Sequence, residues 1–261
     1  MPQQTPFWAP SFAFFAVAAV TALGQPTTNV ISNGQFASRA KQAYVFAQKE
    51  FATNTHNANA ACQLGRASYD WAVFATNAEQ RAGIAQTGIA ACREVLASDS
   101  QSAPGHYYLA MNYGELAEAE APSMAAYKLI RDIEREFKSA SELDERLDFG
   151  GPPRCLGLLY RDAPIWPISI GSRRKAREFL DRAAALAPDY PENELNLVES
   201  HVQWHQAAEA EKAWHALATI WPAARTNLTG VAWEQSWNDW TTRRAAVKAD
   251  FQKTFKRELK P

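Results

Sequence analysis

The residues of this chain whose types and spacing could do chemistry are few. His201-Val-Gln-Trp-His205 would set two imidazoles four residues apart on one helical face, the spacing of a metal-ligating pair. No Glu follows the first histidine, so the hydrolytic zinc motif is incomplete. No GxSxG elbow, GxxxxGK[ST] loop or GxGxxG turn occurs. Arginines and carboxylates do recur along the chain, Arg66 with Asp70 and Arg154 with Asp162. Such arginines could grip a ligand carboxylate bidentately, or pair with their own acids on a solvated face. Trp233, Trp237 and Trp240 share one face by their i, i+4, i+7 spacing, which suits core packing and, as a sharper reading, an aromatic binding strip.

Composition limits the scaffold that could position these groups. The 261 residues carry 27 basic and 28 acidic side chains, a net charge of -1, and so lack the concentrated basic face that nucleic acid requires. With 47% hydrophobic residues the chain is not a disordered tail. Its 49 alanines against 12 glycines point to an all-helical protein with closely approaching helices. Arg39 is the first charged residue, and Phe12 to Leu23 forms an apolar run ending Ala22-Leu23-Gly24. Residues 1–24 therefore read as a signal peptide and 25–37 as a flexible segment, with the folded domain over 38–261. No Lys or Arg precedes the run, which keeps an uncleaved anchor or a buried N-terminal helix as the alternative. Gln25 rather than a cysteine follows, so no lipid anchor is indicated. Cys62, Cys92 and Cys155 show no CxxC spacing and are expected as free, packed thiols; in an exported protein Cys62 could instead pair with Cys92.

A repeat organises the rest. Ala176, Leu180, Ala183, Leu186 and Pro188 occupy the slots of a tetratricopeptide second helix, and Ala210, Trp214, Leu217, Ile220 and Pro222 recur at a spacing of 34. First-helix signatures, a leucine and a small residue followed by an aromatic, stand at Leu64-Gly65, Leu109-Ala110 and Leu156-Gly157, with a degenerate copy at Leu197. This predicts an all-α, tetratricopeptide-like α-solenoid of about four helix pairs. Capping helices are expected over about 38–52 and 232–258, because a terminal repeat would otherwise expose its apolar face. Pro188 and Pro222 are expected to stop second helices.

First helices line the concave face of such a solenoid. Repeat phase assigns Arg66, Tyr69, Asp70, Tyr107, Met111, Glu115, Arg154, Leu158, Arg161, Asp162, Leu195 and Glu199 to that lining. The mixture suits a peptide or an amphipathic acid. The segment 163–171 (APIWPISIG) is too rich in proline for a helix and too apolar for a free loop. It is expected to fold over the groove, with Trp166 as a lid, or to plug a neighbouring repeat.

Residues 150–200 resemble a known family more specifically. Arg154, Leu156-Gly157 with Tyr160, the Ala163-Pro164-x-Trp166-Pro167 loop leading to Gly171, and the turn Ala187-Pro188-Asp189-Tyr190-Pro191-Glu192-Asn193 are similar to the TatT family, helical-repeat components associated with TRAP-type periplasmic transporters. The resemblance implies a non-enzymatic, exported, periplasmic protein with no cofactor. It would bind a protein partner, such as a periplasmic solute-binding protein, and a small apolar or amphipathic ligand. Self-association into a homo-oligomer stays open. The competing readings are a general intracellular tetratricopeptide scaffold without a pocket and, last, a metal-dependent enzyme using His201 and His205.

Overall fold

The computed structural model describes residues 33–55, 57–165 and 167–260. The signal-peptide reading of 1–24, most of the 25–37 segment and the lid residue Trp166 lie outside the described residues. Helix α1 (Asn33–Thr53) precedes four pairs: α2 (Ala58–Ala72) with α3 (Ala78–Ser98), α4 (Ala103–Glu120) with α5 (Met124–Leu143), α6 (Leu147–Asp162) with α7 (Arg173–Leu186), and α8 (Pro191–Gln203) with α9 (Ala207–Asn227). A short 3-10 turn (Val231–Trp233) then leads into α10 (Glu234–Phe255). Each helix of the four pairs packs on the next, and the first helices α2, α4, α6 and α8 also touch in series. The described residues form an all-α solenoid of four helix pairs with a further helix at each end. The first helix begins at Asn33, inside the stretch expected to be flexible.

Local sequence explains the boundaries. Asn57, Asn77, Ser102, Ser123 and Ser172 cap helix N-termini by accepting backbone N–H bonds through their side chains. Small residues bring paired helices together: a β-carbon on Gly157 would stand 2.7 Å from Leu180 Cγ, and one on Gly65 would collide with the Cys92 sulfur. Ala176, Ala183 and Leu180 are buried in the same seam. The three thiols are unpaired. Among the described residues no helix is long and apolar enough to cross a membrane.

Two expectations change. Helix α9 does not stop at Pro222 but continues to Asn227. Pro222 is exposed and cannot donate to the carbonyl of Ala218, so packing of Ala213, Trp214, Leu217 and Ala224 carries the helix past it. Pro222→Ala is therefore expected to stabilise the protein by about 2 kcal/mol, the helix-interior cost of proline less its effect on the unfolded chain. An increased urea midpoint would show this.

His201 and His205 do not share a helical face. Helix α8 ends at Gln203 and His205 adopts a left-handed φ of 58°. His201 instead hydrogen-bonds Gln206 at 3.0 Å and meets Trp204 edge-on, while His205 faces Phe255.

Of the two expectations for the 163–171 segment, the described residues follow the second: none lines the groove, while Ala163 is buried in the core and Ile170 packs against it. The segment closes on itself by the Gly171 N–H donating to the Pro164 carbonyl at 2.9 Å, and it is tied to α6 by the Ser172 N–H donating to the Tyr160 carbonyl. Ile165 and Ile168 stay exposed.

Candidate functional site

The concave face holds a cavity of about 370 Å³, within the range of small-molecule pockets. It is lined from α2 and its C-cap by Arg66, Tyr69, Asp70 and Val73, from α4 by Tyr107, Tyr108 and Met111, and from α6 by Asp148, Arg154, Cys155 and Leu158. Tyr190 and Glu192, at the start of α8, complete that side. The two end helices and the 3-10 turn form the rest: Phe36, Arg39, Ala40 and Ala43 from α1 face Val231 and Ala232 of the turn and Gln235, Ser236, Asp239 and Trp240 from α10. An Arg39–Glu234 ion pair at 2.5 Å joins these helices across a sequence separation of 195.

The cavity crosses the repeats obliquely. It meets α2 towards its C-terminal end, α4 in the middle of its first half, α6 towards its N-terminal end and α8 at its first turn. Of the residues assigned by repeat phase, Arg66, Tyr69, Asp70, Tyr107, Met111, Arg154 and Leu158 line it. Glu115, Arg161, Asp162, Leu195 and Glu199 do not, because equivalent positions along a twisted stack lie on either side of an oblique groove. Glu115 pairs with Arg81 of α3 at 3.1 Å, Arg161 pairs with Asp162 and donates to Ser200, Leu195 is core, and Glu199 pairs with Arg243. The Arg154–Asp162 pairing is likewise replaced: eight residues along a helix separate them by about 12 Å.

Arg154 is bound elsewhere. Its guanidinium, 5% exposed, donates to Asp148 Oδ2 at 2.9 Å and lies 3.9 Å from Glu192. It also donates to the Asp148 and Phe149 carbonyls and to Asn193 Oδ1, and it lies over the Tyr190 ring. Burial works against its charge, but Glu192 and Asp148 hold the guanidinium protonated. These bonds stabilise an unusual entry to α6. Asp148, Phe149 and Gly150 are all left-handed, at φ 51°, 57° and 77°, a conformation costing non-glycine residues roughly 1–2 kcal/mol each. Asn193 donates to the Phe149 and Ala183 carbonyls at 3.0 Å, and the Phe149 ring stacks on Tyr190 at 4.5 Å. The result places the Asp148 carboxylate in the cavity wall, where it also accepts from the Tyr107 hydroxyl.

The aromatic wall belongs to α10 and its neighbours. Trp240 meets Tyr190 at 5.3 Å, Trp233 at 6.1 Å and Trp237 at 4.9 Å. Trp237 turns the other way, onto Trp221 of α9, and donates to the Leu228 carbonyl. The tryptophan stripe thus covers the last repeat on one side and walls the cavity on the other.

Two groups beside the cavity are incompletely partnered within the protein. The Tyr69 hydroxyl is buried and has no hydrogen-bond partner among the described residues. Arg66 and Asp70 approach only to 3.7 Å. About half of the Asp70 side-chain surface is open, but it opens onto the cavity, whose walls limit its hydration. Burial pushes its carboxyl up from 3.8 to about 6; Arg66 opposes this and Asp148 adds to it. Burial likewise raises Asp239 to about 6, with Arg243 opposing and Glu192 adding. The Cys155 thiol is pushed up to about 12 by burial, which makes it a packed sulfur rather than a nucleophile.

A carboxyl whose folded pKa is raised imposes no penalty below its unfolded value near 3.8, a growing one between 4 and 6, and the full one above 6. Asp239 is the better test, because its side chain is only 11% exposed. Asp239→Asn is expected to gain stability relative to the parent as pH rises from 4 to 7. The difference between their urea midpoints, followed across that window, checks the sign. His201, held neutral by burial, acts the opposite way below about 6.5 in both proteins and cancels in the comparison.

Repeat reasoning did not identify Tyr108, Asp148, Cys155, Tyr190, Glu192 or the contributions of α1 and α10. The one available signal was the Asp-Phe-Gly-Gly-Pro-Pro run at 148–153, which cannot begin a regular helix. No protein-family model matches the chain, and no curated protein matches its sequence.

Proposed function

We propose that this chain is a non-enzymatic binding or adaptor protein that holds a small amphipathic ligand in the concave cavity and presents its solenoid to a partner protein. The observation that carries this reading is the cavity itself. Four repeats and both end helices contribute to one half-open cavity, where aromatic side chains stand beside arginines and carboxylates. A scaffold needs its end helices only as caps for the terminal repeats, whereas here they also join across the concave face through Arg39 and Glu234. The sequence resemblance to the TatT family extends the proposal to an exported, periplasmic protein that works beside the solute-binding protein of a TRAP-type transporter. Exposed Ile165 and Ile168, in the loop that carries part of the resemblance, offer a contact surface for that partner.

Affinity capture with the full chain from its native cells tests the partner assignment. Recovery of a periplasmic solute-binding protein, diminished by Ile168→Asp, is expected. Capture of cytoplasmic proteins alone, together with a mature chain still beginning at Met1, would contradict it.

A further inference from the structure

The seam between α9 and α10 gathers aromatic rings and arginines that the concave cavity does not use. Trp214 and Trp221 of α9 and Trp237 of α10 stand along it, and the Trp221 and Trp237 rings meet edge-on at 5.2 Å. Two guanidiniums lie on these indoles. Arg225 stands 4.1 Å from the centre of the Trp237 ring and 6.0 Å from that of Trp221, while Arg244 stands 4.6 Å from Trp221 and 5.0 Å from Trp214. Trp221 thus carries a guanidinium from each helix.

Neither guanidinium has a carboxylate. Arg81, Arg154, Arg161 and Arg243, also set into the solenoid, each pair with one. Arg225 instead donates to the Thr241 hydroxyl at 3.2 Å. Arg244 makes neither a hydrogen bond nor an ion pair among the described residues: its Nε is covered and unpartnered, and its terminal nitrogens are open. Glu211, one turn before Trp214 on α9, is taken by Arg257.

We propose, resting on the partner-binding function above, that the α9–α10 seam docks an acidic segment of the partner protein, whose carboxylates are received by Arg225 and Arg244 and whose chain lies against Trp221.

A guanidinium presents a planar fork of donors that suits a carboxylate, and one stacked on an indole is already held in place, so little side-chain freedom is lost when the acid arrives. Burial pulls the Arg244 pKa down and no carboxylate of the chain offsets it, so an incoming acid supplies the counter-charge that the fold omits. Covering these donors with an apolar surface would leave them unmet. Lys248, exposed one turn beyond Arg244 and without an ion-pair partner among the described residues, continues the positive row along α10. The seam is reachable: Trp221 is half-buried and Arg225 is exposed. Tryptophan and arginine are also the side chains on which protein interfaces most often depend. A nucleic acid would need a far broader basic face than Arg225, Arg244 and Lys248 supply. A small free anion would use the two forks but leave the Trp221 surface uncovered.

Fluorescein-labelled hexaglutamate and hexaglutamine, followed by anisotropy as they bind the full chain at low salt, separate acid recognition from peptide binding in general. Hexaglutamate is expected to bind more tightly by about tenfold or better, and to weaken as salt is added. Replacing both arginines, Arg225→Gln with Arg244→Gln, should remove about tenfold of that affinity. Arg131→Gln with Arg174→Gln, an equal loss of charge from exposed positions on α5 and α7, should change it by no more than about twofold. Arg225→Gln alone, at an exposed position where folding is not at stake, should account for part of the loss. Hexaglutamate no tighter than hexaglutamine, affinity indifferent to the double substitution, or displacement of the peptide by inorganic phosphate at comparable concentration would overturn the acidic-segment assignment and leave partner binding elsewhere on the solenoid standing. Affinity capture that recovers no periplasmic protein, while hexaglutamate binding still depends on both arginines, would instead overturn the partner reading on which the assignment rests.

Discussion

Replacing Arg154 with methionine is expected to cost about 3–5 kcal/mol, the loss seen when one partner of a buried ion pair is removed and the other charges stay behind. Arg154 carries more than an ion pair. It holds the carboxylates of Asp148 and Glu192, the backbone of the left-handed 148–150 turn, and the Asn193 side chain that ties the starts of α6 and α8 to the end of α7. Methionine fills similar volume but leaves Glu192 without its nearest cation on that side, and only Arg243, at 3.8 Å, remains to oppose its charge. The turn would lose its donors as well, and left-handed Asp148 and Phe149 would then relax. Arg154→Lys should recover only part of the loss, because a single ammonium cannot reach carbonyls and carboxylates arranged for a planar fork. Urea denaturation at pH 7 measures both variants. An Arg154→Met loss below about 1 kcal/mol would show that the turn is held by something other than this guanidinium.

Trp240→Ala is expected to be comparably severe, about 3–5 kcal/mol for an aromatic of this size removed from the interior. The residue is 1% exposed, touches the rings of Tyr190, Trp233 and Trp237, and separates the cavity from the core beneath α10. Its removal would enlarge the cavity and free Tyr190, the ring that packs between Phe149 and Arg154. Trp240→Phe should restore more than half of the loss. Equal losses for alanine and phenylalanine would place the contribution in the indole ring specifically rather than in filled volume. Calorimetric unfolding of the two variants decides between these outcomes.

Both residues show what could be read from the chain and what could not. The solenoid was legible because its rule is local: a small residue at Gly65, Ala110 and Gly157 lets the paired helix approach, and the structure places Cys92 and Leu180 against two of these glycines. Seven of the cavity residues followed from the same phase. Position in a repeat does not fix the direction in which the stack twists, however, so the phase equally nominated Glu115, Arg161, Asp162 and Glu199, which fall outside the oblique groove. Arg154 was found, but as a lining residue that grips a ligand or pairs with Asp162 rather than as the centre of a structural network, because Glu192 and Asn193 reach it from 38 and 39 positions away. Trp240 was read correctly as packing, yet its second role as cavity wall depends on α1 and α10 coming together, a contact between sequence ends that no periodicity announces. The histidine pair failed for a local reason: a helix that ends two residues early leaves His205 outside it.

The central claim is that the concave cavity is a ligand site. Native mass spectrometry of the protein purified gently from its own cells, compared with the same sample after denaturation, tests it most directly. The account predicts a stoichiometric excess mass that is lost on denaturation. A native mass equal to the bare chain would contradict it.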